Sequence, residues 1–338
     1  MIRRPSSVVS GEPMPKKINV LFLPPKNPAM FTPWVDDVVA IVGSRHNLKF
    51  FDFNQPIAPQ FQGAEMVIDF GGSVGTREML DAAHDTRLWQ VLGTGIDHFD
   101  LDYWRAKKMP VANCPGPFSA VALAECAMMF ILMLTRHYNE TQSNLRNGIQ
   151  NLPAGIELIG LKLGLIGFGA SAIELARRAK SFGLRISAID IRNVGEDEKR
   201  ELGVEFVGRP DDLDALIADS DFVSLHLHLN AETRHTMDAR RIALMKPTAY
   251  LINVARGALV DEAALEKALV EGKIAGAGLD VFSQEPPNLN SPLFHLPNVI
   301  TTPHIAGVTN GTSRKRAQVA ADNADRLAAG LEPLYRVD

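Results

Sequence analysis

The sequence predicts an α/β protein of two doubly wound parallel-sheet domains. Three observations carry this expectation. From Ile18 onward, short β-rich apolar runs alternate with longer amphipathic stretches, the pattern of parallel strands joined by helical crossovers. A chain of 338 residues fits two domains at about 150 residues each. A long apolar stretch and a loop rich in glycine and proline, Asn151 to Gly155, separate a first series of such runs from a second.

In the first series, Asn19–Leu23, Met66–Phe70, Trp89–Leu92 and Val111–Ala112 read as strands, with Pro33–Ile41, Arg77–Ala83 and Asp102–Lys107 as helices between them. Ser119 to Gly148 reads as one long helix. Its most apolar part, Ala120 to Leu134, is too short to span a bilayer and contains Glu125, so a buried helix is expected. The second series gives strands at Leu163–Ile166, Arg185–Ile189, Phe222–His226, Ala249–Ile252, Gly276–Leu279 and Val299–Thr301, and a closing helix at Ser313 to Ala329. The expected domains are residues 1–116 with 310–338, and residues 117–309. Two such units place ligands in a cleft at the carboxyl ends of their strands.

Hydrophobic residues make up 46% and charged residues 22%, ordinary for a soluble, packed protein. A net charge of -4 argues against an electrostatic grip on nucleic acid or an anionic membrane. Two cysteines, Cys114 and Cys126, are too few for a disulfide framework and fit a reducing compartment. Met1 to Lys17 carries four basic residues but no apolar segment, so a loose extension rather than a signal peptide is expected, and a cytoplasmic location.

Leu163-Gly-Leu-Ile-Gly-Phe-Gly-Ala-Ser-Ala172 runs from an apolar strand into a helix. Gly167 and Gly169 fit the first two glycines of the dinucleotide fingerprint, and Ala172 takes the small third position. The first glycine permits the tight turn and the second admits a pyrophosphate to the backbone. Ala170, Ser171 and Ala172 then open the helix, whose free N–H groups and dipole face the phosphates. The next strand ends at Asp190, about twenty residues on, where an acid meets the adenosine ribose hydroxyls. Its charge favours NAD over NADP; Ile191 and Arg192 follow, and Arg192 would soften that preference.

Three groups in the second half suit hydride transfer at a 2-keto acid. A histidine can serve as acid in one direction and base in the other. An arginine can hold a carboxylate in a forked pair of hydrogen bonds. A carboxylate beside a histidine favours imidazolium and fixes the ring. They stand in Asn253-Val-Ala-Arg256-Gly-Ala-Leu-Val-Asp-Glu262, Leu279-Asp-Val-Phe-Ser-Gln-Glu285-Pro and Thr302-Pro-His304-Ile-Ala-Gly307. Singly, each has a plainer reading, Arg256 as a surface ion-pair partner and Glu285-Pro-Pro as the end of a turn. Together these segments resemble the D-isomer-specific 2-hydroxyacid dehydrogenases, over nearly the whole chain from Val67 to Tyr335.

The resemblance implies a Rossmann NAD-binding domain and a flavodoxin-like substrate domain, closing on NAD and a small 2-keto or 2-hydroxy acid in a homodimer built by the Ser119–Gly148 region. It implies that Arg256 orients the substrate carboxylate, that His304 moves the proton, and that Glu285 hydrogen-bonds His304. Asp280 would contact the nicotinamide carboxamide, and His226, Thr233, Val254, Ala255 and Gly307 would lie along the cofactor. Gly71, Gly72 and Ser73 would bind the carboxylate through backbone N–H groups, with Gly95 in the neighbouring loop. Departures are His228 where the family has proline, Gln150 near a usual aromatic, and an extra residue between Pro115 and Glu125. His226 and His228, two apart, have the spacing of a metal pair, but no acid or cysteine nearby completes a set, so no metal is expected. Cys114 has no adjacent base to activate it. The loop Phe70 to Val74 has no Arg or Lys to meet a phosphate, which disfavours phosphoglycerate. The alternative function is an NADH-sensing, corepressor-like binding protein on the same fold.

Overall fold

A computed structural model describes residues 16–26, 32–71, 74–96 and 99–338. The chain divides into two compact units, one running to Cys114 and taking in Ser313–Asp338, the other Pro115–Thr312.

The first unit holds β1 (Asn19–Leu23), α1 (Thr32–Ile41), β2 (Asn47–Phe50), α2 (Ile57–Phe61), β3 (Met66–Asp69), α3 (Arg77–Ala82), β4 (Leu88–Val91), α4 (Leu101–Ala106) and β5 (Val111–Ala112). Its five strands pair in parallel in the order β2-β1-β3-β4-β5. This is the flavodoxin-like order, whose crevice opens between β1 and β3. All four residues of β3 and of β4 are buried, as parallel strands covered on both faces require.

The second unit begins with α5 (Ala120–Thr135) and α6 (Tyr138–Arg146). Its seven-stranded sheet alternates with helices through β6 (Lys162–Ile166), α7 (Ala170–Ser181), β7 (Arg185–Ile189), α8 (Glu196–Leu202), β8 (Val204–Gly208), α9 (Leu213–Asp219) and β9 (Phe222–Leu225). There follow α10 (Ala239–Ile242), β10 (Tyr250–Asn253), α11 (Glu262–Val270), β11 (Gly276–Leu279) and β12 (Val299–Thr301). The order β12-β11-β10-β9-β6-β7-β8 is that of a Rossmann sheet, all parallel, with its switch point between β6 and β9. The closing helix α12 (Asn310–Ala328) belongs almost wholly to the first unit.

Three expectations need correction. The single helix expected over Ser119–Gly148 is two, because His137 sits in the left-handed region (φ 48) and bends the path by 52°. Asn47–Phe50 and Val204–Gly208, absent from the expected strands, are the edge strands β2 and β8. Their mixed exposure explains the omission, since an edge strand need not carry a continuous apolar run. Helix α5 is apolar nearly all round because it is packed inside: Phe130 is fully buried, and a Cβ on Gly278 of β11 would meet it at 2.5 Å. No single helix among the described residues is long and apolar enough to cross a membrane.

Candidate active site

Three strand ends of the second unit build the site. After β10, Asn253 is buried and shapes a tight turn. Its amide N–H donates to Arg256 O at 2.9 Å, and its Oδ1 accepts from Ala255 N–H at 3.1 Å. Val254 is buried beneath this turn and Ala255 is half-buried. Arg256 Nη1 donates to Ala255 O at 2.9 Å. Gly257 is required next, because a Cβ there would lie 1.9 Å from the Phe282 carbonyl carbon. This backbone contact brings the Arg256 turn against the loop that carries Glu285.

After β11, Asp280 is wholly buried and organises the loop beyond β12. Its carboxylate accepts from Thr302 Oγ1 (2.6 Å), Ile305 N–H (2.7 Å) and Ala306 N–H (2.8 Å). Its carbonyl accepts from His304 N–H at 2.8 Å. These bonds hold His304 in left-handed backbone (φ 54), a conformation costing about 1–2 kcal/mol for a residue with a Cβ. The resemblance assigned Asp280 to the nicotinamide; the geometry also makes it the post on which the histidine loop is hung.

His304 Nδ1 lies 2.7 Å from Glu285 Oε2, and Glu285 Oε1 accepts from Phe282 N–H at 3.1 Å. Burial alone would raise the Glu285 carboxyl, but the hydrogen bond and charge of His304, the Phe282 N–H and the Arg256 guanidinium outweigh it and hold it below its ordinary value. An ionised carboxylate has no proton to donate, so Nδ1–H is the donor and Nε2 is left to bond elsewhere. The arrangement sets a guanidinium beside a histidine whose ring is oriented by a carboxylate.

The dinucleotide cradle lies at the carboxyl ends of β6 and β7. Gly167 has φ +88, and a Cβ there would come 2.8 Å from His226 O. At Gly169 a Cβ would meet nothing within 4 Å, and this residue caps α7 without any side-chain hydrogen bond. The first N–H groups of α7, at Ala170, Ser171 and Ala172, thus begin an uncapped helix with open space before it, which fits a pyrophosphate. Ala172 itself is buried, filling the helix–strand contact expected of the third position. Asp190 accepts from Phe168 N–H at 2.5 Å and Arg192 N–H at 2.8 Å, tying the turn after β7 to the fingerprint. Ile191 is 80% exposed, an apolar side chain left open beside that acid.

His226 stands between two hydroxyls, Ser171 Oγ at 2.9 Å from Nδ1 and Ser224 Oγ at 2.9 Å from Nε2. The residue keeps some surface, yet burial of its ring pushes its pKa down to about 3. It is a neutral brace for the start of α7. His228 is exposed, and its carbonyl accepts from Thr233 Oγ1 at 2.6 Å, so Thr233 closes the turn after β9. Among the described residues no group of three or more His, Cys, Asp or Glu could hold a metal. A neutral buried histidine has a pH consequence. The unfolded ring takes a proton below about pH 6.5 and the folded ring only below about 3, so stability is fully present above 6.5 and falls on acidification by about 1.4 kcal/mol per unit through that window. Urea unfolding at about pH 7.5 and about pH 5.5 should show this loss in the wild type and about 1.4 kcal/mol less of it in His226→Asn.

In the first unit, Asp69 ends β3 buried, and its carboxylate accepts from Val74 N–H (3.3 Å), Gly75 N–H (3.0 Å) and Trp89 Nε1 (3.1 Å). Gly71 follows with φ +71 at the carboxyl end of β3, and Gly95 lies in the loop after β4. Gly72 and Ser73 lie outside the described residues, as does Asp97 of the Gly93–Asp97 loop. Arg192 and Glu198 complete the cradle in a way the sequence did not reveal: Nη1 and Nη2 fork onto the Glu198 carboxylate at 2.9 and 2.7 Å.

Comparison with known proteins accords with this geometry. Residues 128–306 match the family model for the D-isomer specific 2-hydroxyacid dehydrogenase NAD binding domain. The chain is 38% identical over 262 residues to the glyoxylate reductase of Thermofilum pendens, covering 76% of each. It is 34% identical over 278 residues, 82% of the chain, to the D-3-phosphoglycerate dehydrogenase of Methanocaldococcus jannaschii, spanning only 52% of that longer protein. The solved D-lactate dehydrogenase of Aquifex aeolicus, complexed with NAD and lactic acid, superposes with a TM-score of 0.77 at 29% identity, over 92% of this chain and 96% of that one. With the strand order, the fingerprint and the family match in agreement, the chain belongs to the D-isomer-specific 2-hydroxyacid dehydrogenases, an oxidoreductase family with an NAD-binding domain.

Proposed function

We propose that this chain reduces a small 2-keto acid, of the size of glyoxylate, hydroxypyruvate or pyruvate, to the D-2-hydroxy acid with NADH. The observation that carries the reading is the His304–Glu285 pair at 2.7 Å with Arg256 close enough for its charge to act on Glu285. NAD(H), when bound, supplies or accepts the hydride. The chain's own residues do the rest. Gly167, Gly169 and the α7 N–H groups receive the pyrophosphate, and Asp190 receives the ribose hydroxyls. Arg256 orients the keto acid by its carboxylate and polarises the carbonyl. His304 Nε2 gives its proton to the oxygen of C2 as the alcohol forms, and takes it back in oxidation. Glu285 keeps the ring in the tautomer and orientation that this requires, and Asp280 keeps the loop under it.

Assembly as a homodimer and a cytoplasmic location belong to the same reading. A mainly apolar hollow on α5 and at the end of α7, lined by Met128, Met129, Leu132, Met133 and Phe182 together with Glu125 and Arg178, supports the first. The corepressor-like alternative finds no support in the relatives, which are named as reductases and dehydrogenases. NADH oxidation by the purified protein against a panel of 2-keto acids tests the reading. Turnover of one acid that collapses in Arg256→Gln supports it; tight NADH binding with no acid consumed contradicts it.

A further inference from the structure

We propose that Glu198 sets the preference for NADH over NADPH by holding the Arg192 guanidinium away from a 2′-phosphate. The inference rests on the dinucleotide reading of the β6–α7 unit and adds to it a specificity residue on α8. An acid at this strand end meets ribose hydroxyls, whereas an arginine beside it accommodates a 2′-phosphate. This chain carries both, Asp190 and Arg192, two residues apart. By sequence, Arg192 should weaken the discrimination that Asp190 imposes.

The geometry turns that arginine away. Its backbone N–H is fastened to Asp190 Oδ1 at 2.8 Å, so the side chain starts beside the acid. The guanidinium then lies 5.4 Å over the Phe168 ring, and Nε donates to Phe168 O at 3.1 Å. Both terminal nitrogens fork onto Glu198 at 2.9 and 2.7 Å. All three nitrogens are therefore committed to the protein. The two acids before Glu198 face other partners, Glu196 toward Lys199 and Asp197 toward Arg200, so Glu198 is the one of the three that reaches back. The second guanidinium nearby, Arg209, donates to the carbonyls of Asp190 and Ile191 and supports the turn instead. A 2′-phosphate arriving here would face the Asp190 carboxylate with the Arg192 charge already neutralised. The pair is about one-third exposed, 36% and 34%, so it is open to breakage without unfolding a core.

Dissociation constants for NADH and NADPH, read from protein-fluorescence quenching, test this in the wild type, Glu198→Gln, Arg192→Ala and the double variant. Glutamine keeps the size of the side chain and removes the charge that pins the arginine. Glu198→Gln should tighten NADPH relative to NADH by about tenfold, the worth of one charge-assisted hydrogen bond to a phosphate. The gain should vanish when Arg192 is also replaced. An unchanged ratio in Glu198→Gln overturns the proposal, and so does a gain that persists without Arg192, since loss of the acid's charge then suffices. Failure of the wild type to bind either dinucleotide overturns the dinucleotide reading itself, and this proposal with it.

Discussion

His304→Ala is expected to lower the rate of keto-acid reduction by roughly a hundred- to ten-thousand-fold, the usual contribution of a positioned general acid. NADH affinity should be unchanged, because His304 lies on the loop after β12 while the phosphate cradle lies at β6 and α7. The distinction follows from what holds the loop. Asp280 accepts from Thr302, Ile305 and Ala306, and none of these bonds uses the imidazole. The loop therefore survives loss of the ring, because the bond from the residue 304 N–H to the Asp280 carbonyl is made by backbone alone. Single-turnover rates with prebound NADH, beside an NADH titration, separate the two quantities. Equal losses in both would show that the variant had damaged the cradle rather than removed a proton donor. Glu285→Gln should fall in the same direction, since an amide can offer Nδ1 its N–H and so reverse the tautomer.

Gly257→Ala should be the most damaging single methyl in the second unit. Its Cβ would lie 1.9 Å from the Phe282 carbonyl carbon and 2.0 Å from its oxygen, and both are backbone atoms with no rotamer to change. Overpacking of this kind costs about 3 kcal/mol or more when the neighbour cannot yield. Relief requires the Arg256 turn and the Glu285 loop to part, so activity should fall further than stability. Gly169→Ala makes the contrast. A Cβ there meets nothing within 4 Å, so the melting temperature should hold, while NADH binding weakens because the methyl occupies the approach of the pyrophosphate. A Gly257→Ala protein with wild-type stability and rate would show that the two loops are not held by this contact.

These two glycines mark how far the sequence could be read. The strands buried on both faces, such as β6, β9 and β10, announce themselves as apolar runs. The edge strands β2 and β8 do not, because their side chains divide between solvent and sheet. The break at His137 had no glycine or proline to signal it. A shift from the apolar sequence of α5 to the polar one of α6 was the available cue. The segments that carry Arg256, Glu285 and His304 were legible because their order and wording along the chain resemble a family. The contacts that make them a site were not legible: Gly257 on Phe282, Asp280 beneath residues 302–306, and Glu198 on Arg192 join positions whose approach only the fold creates.

If hydride passes between the nicotinamide and C2 of a small keto acid, a label on the nicotinamide must arrive on that carbon. The most direct test uses NADH carrying deuterium on the transferable position of its nicotinamide C4, incubated with the protein and glyoxylate, hydroxypyruvate or pyruvate. The expected product is a 2-hydroxy acid with deuterium on C2, with none formed by His304→Ala on the same timescale. NADH that binds tightly yet transfers no deuterium to any of these acids would contradict hydride transfer.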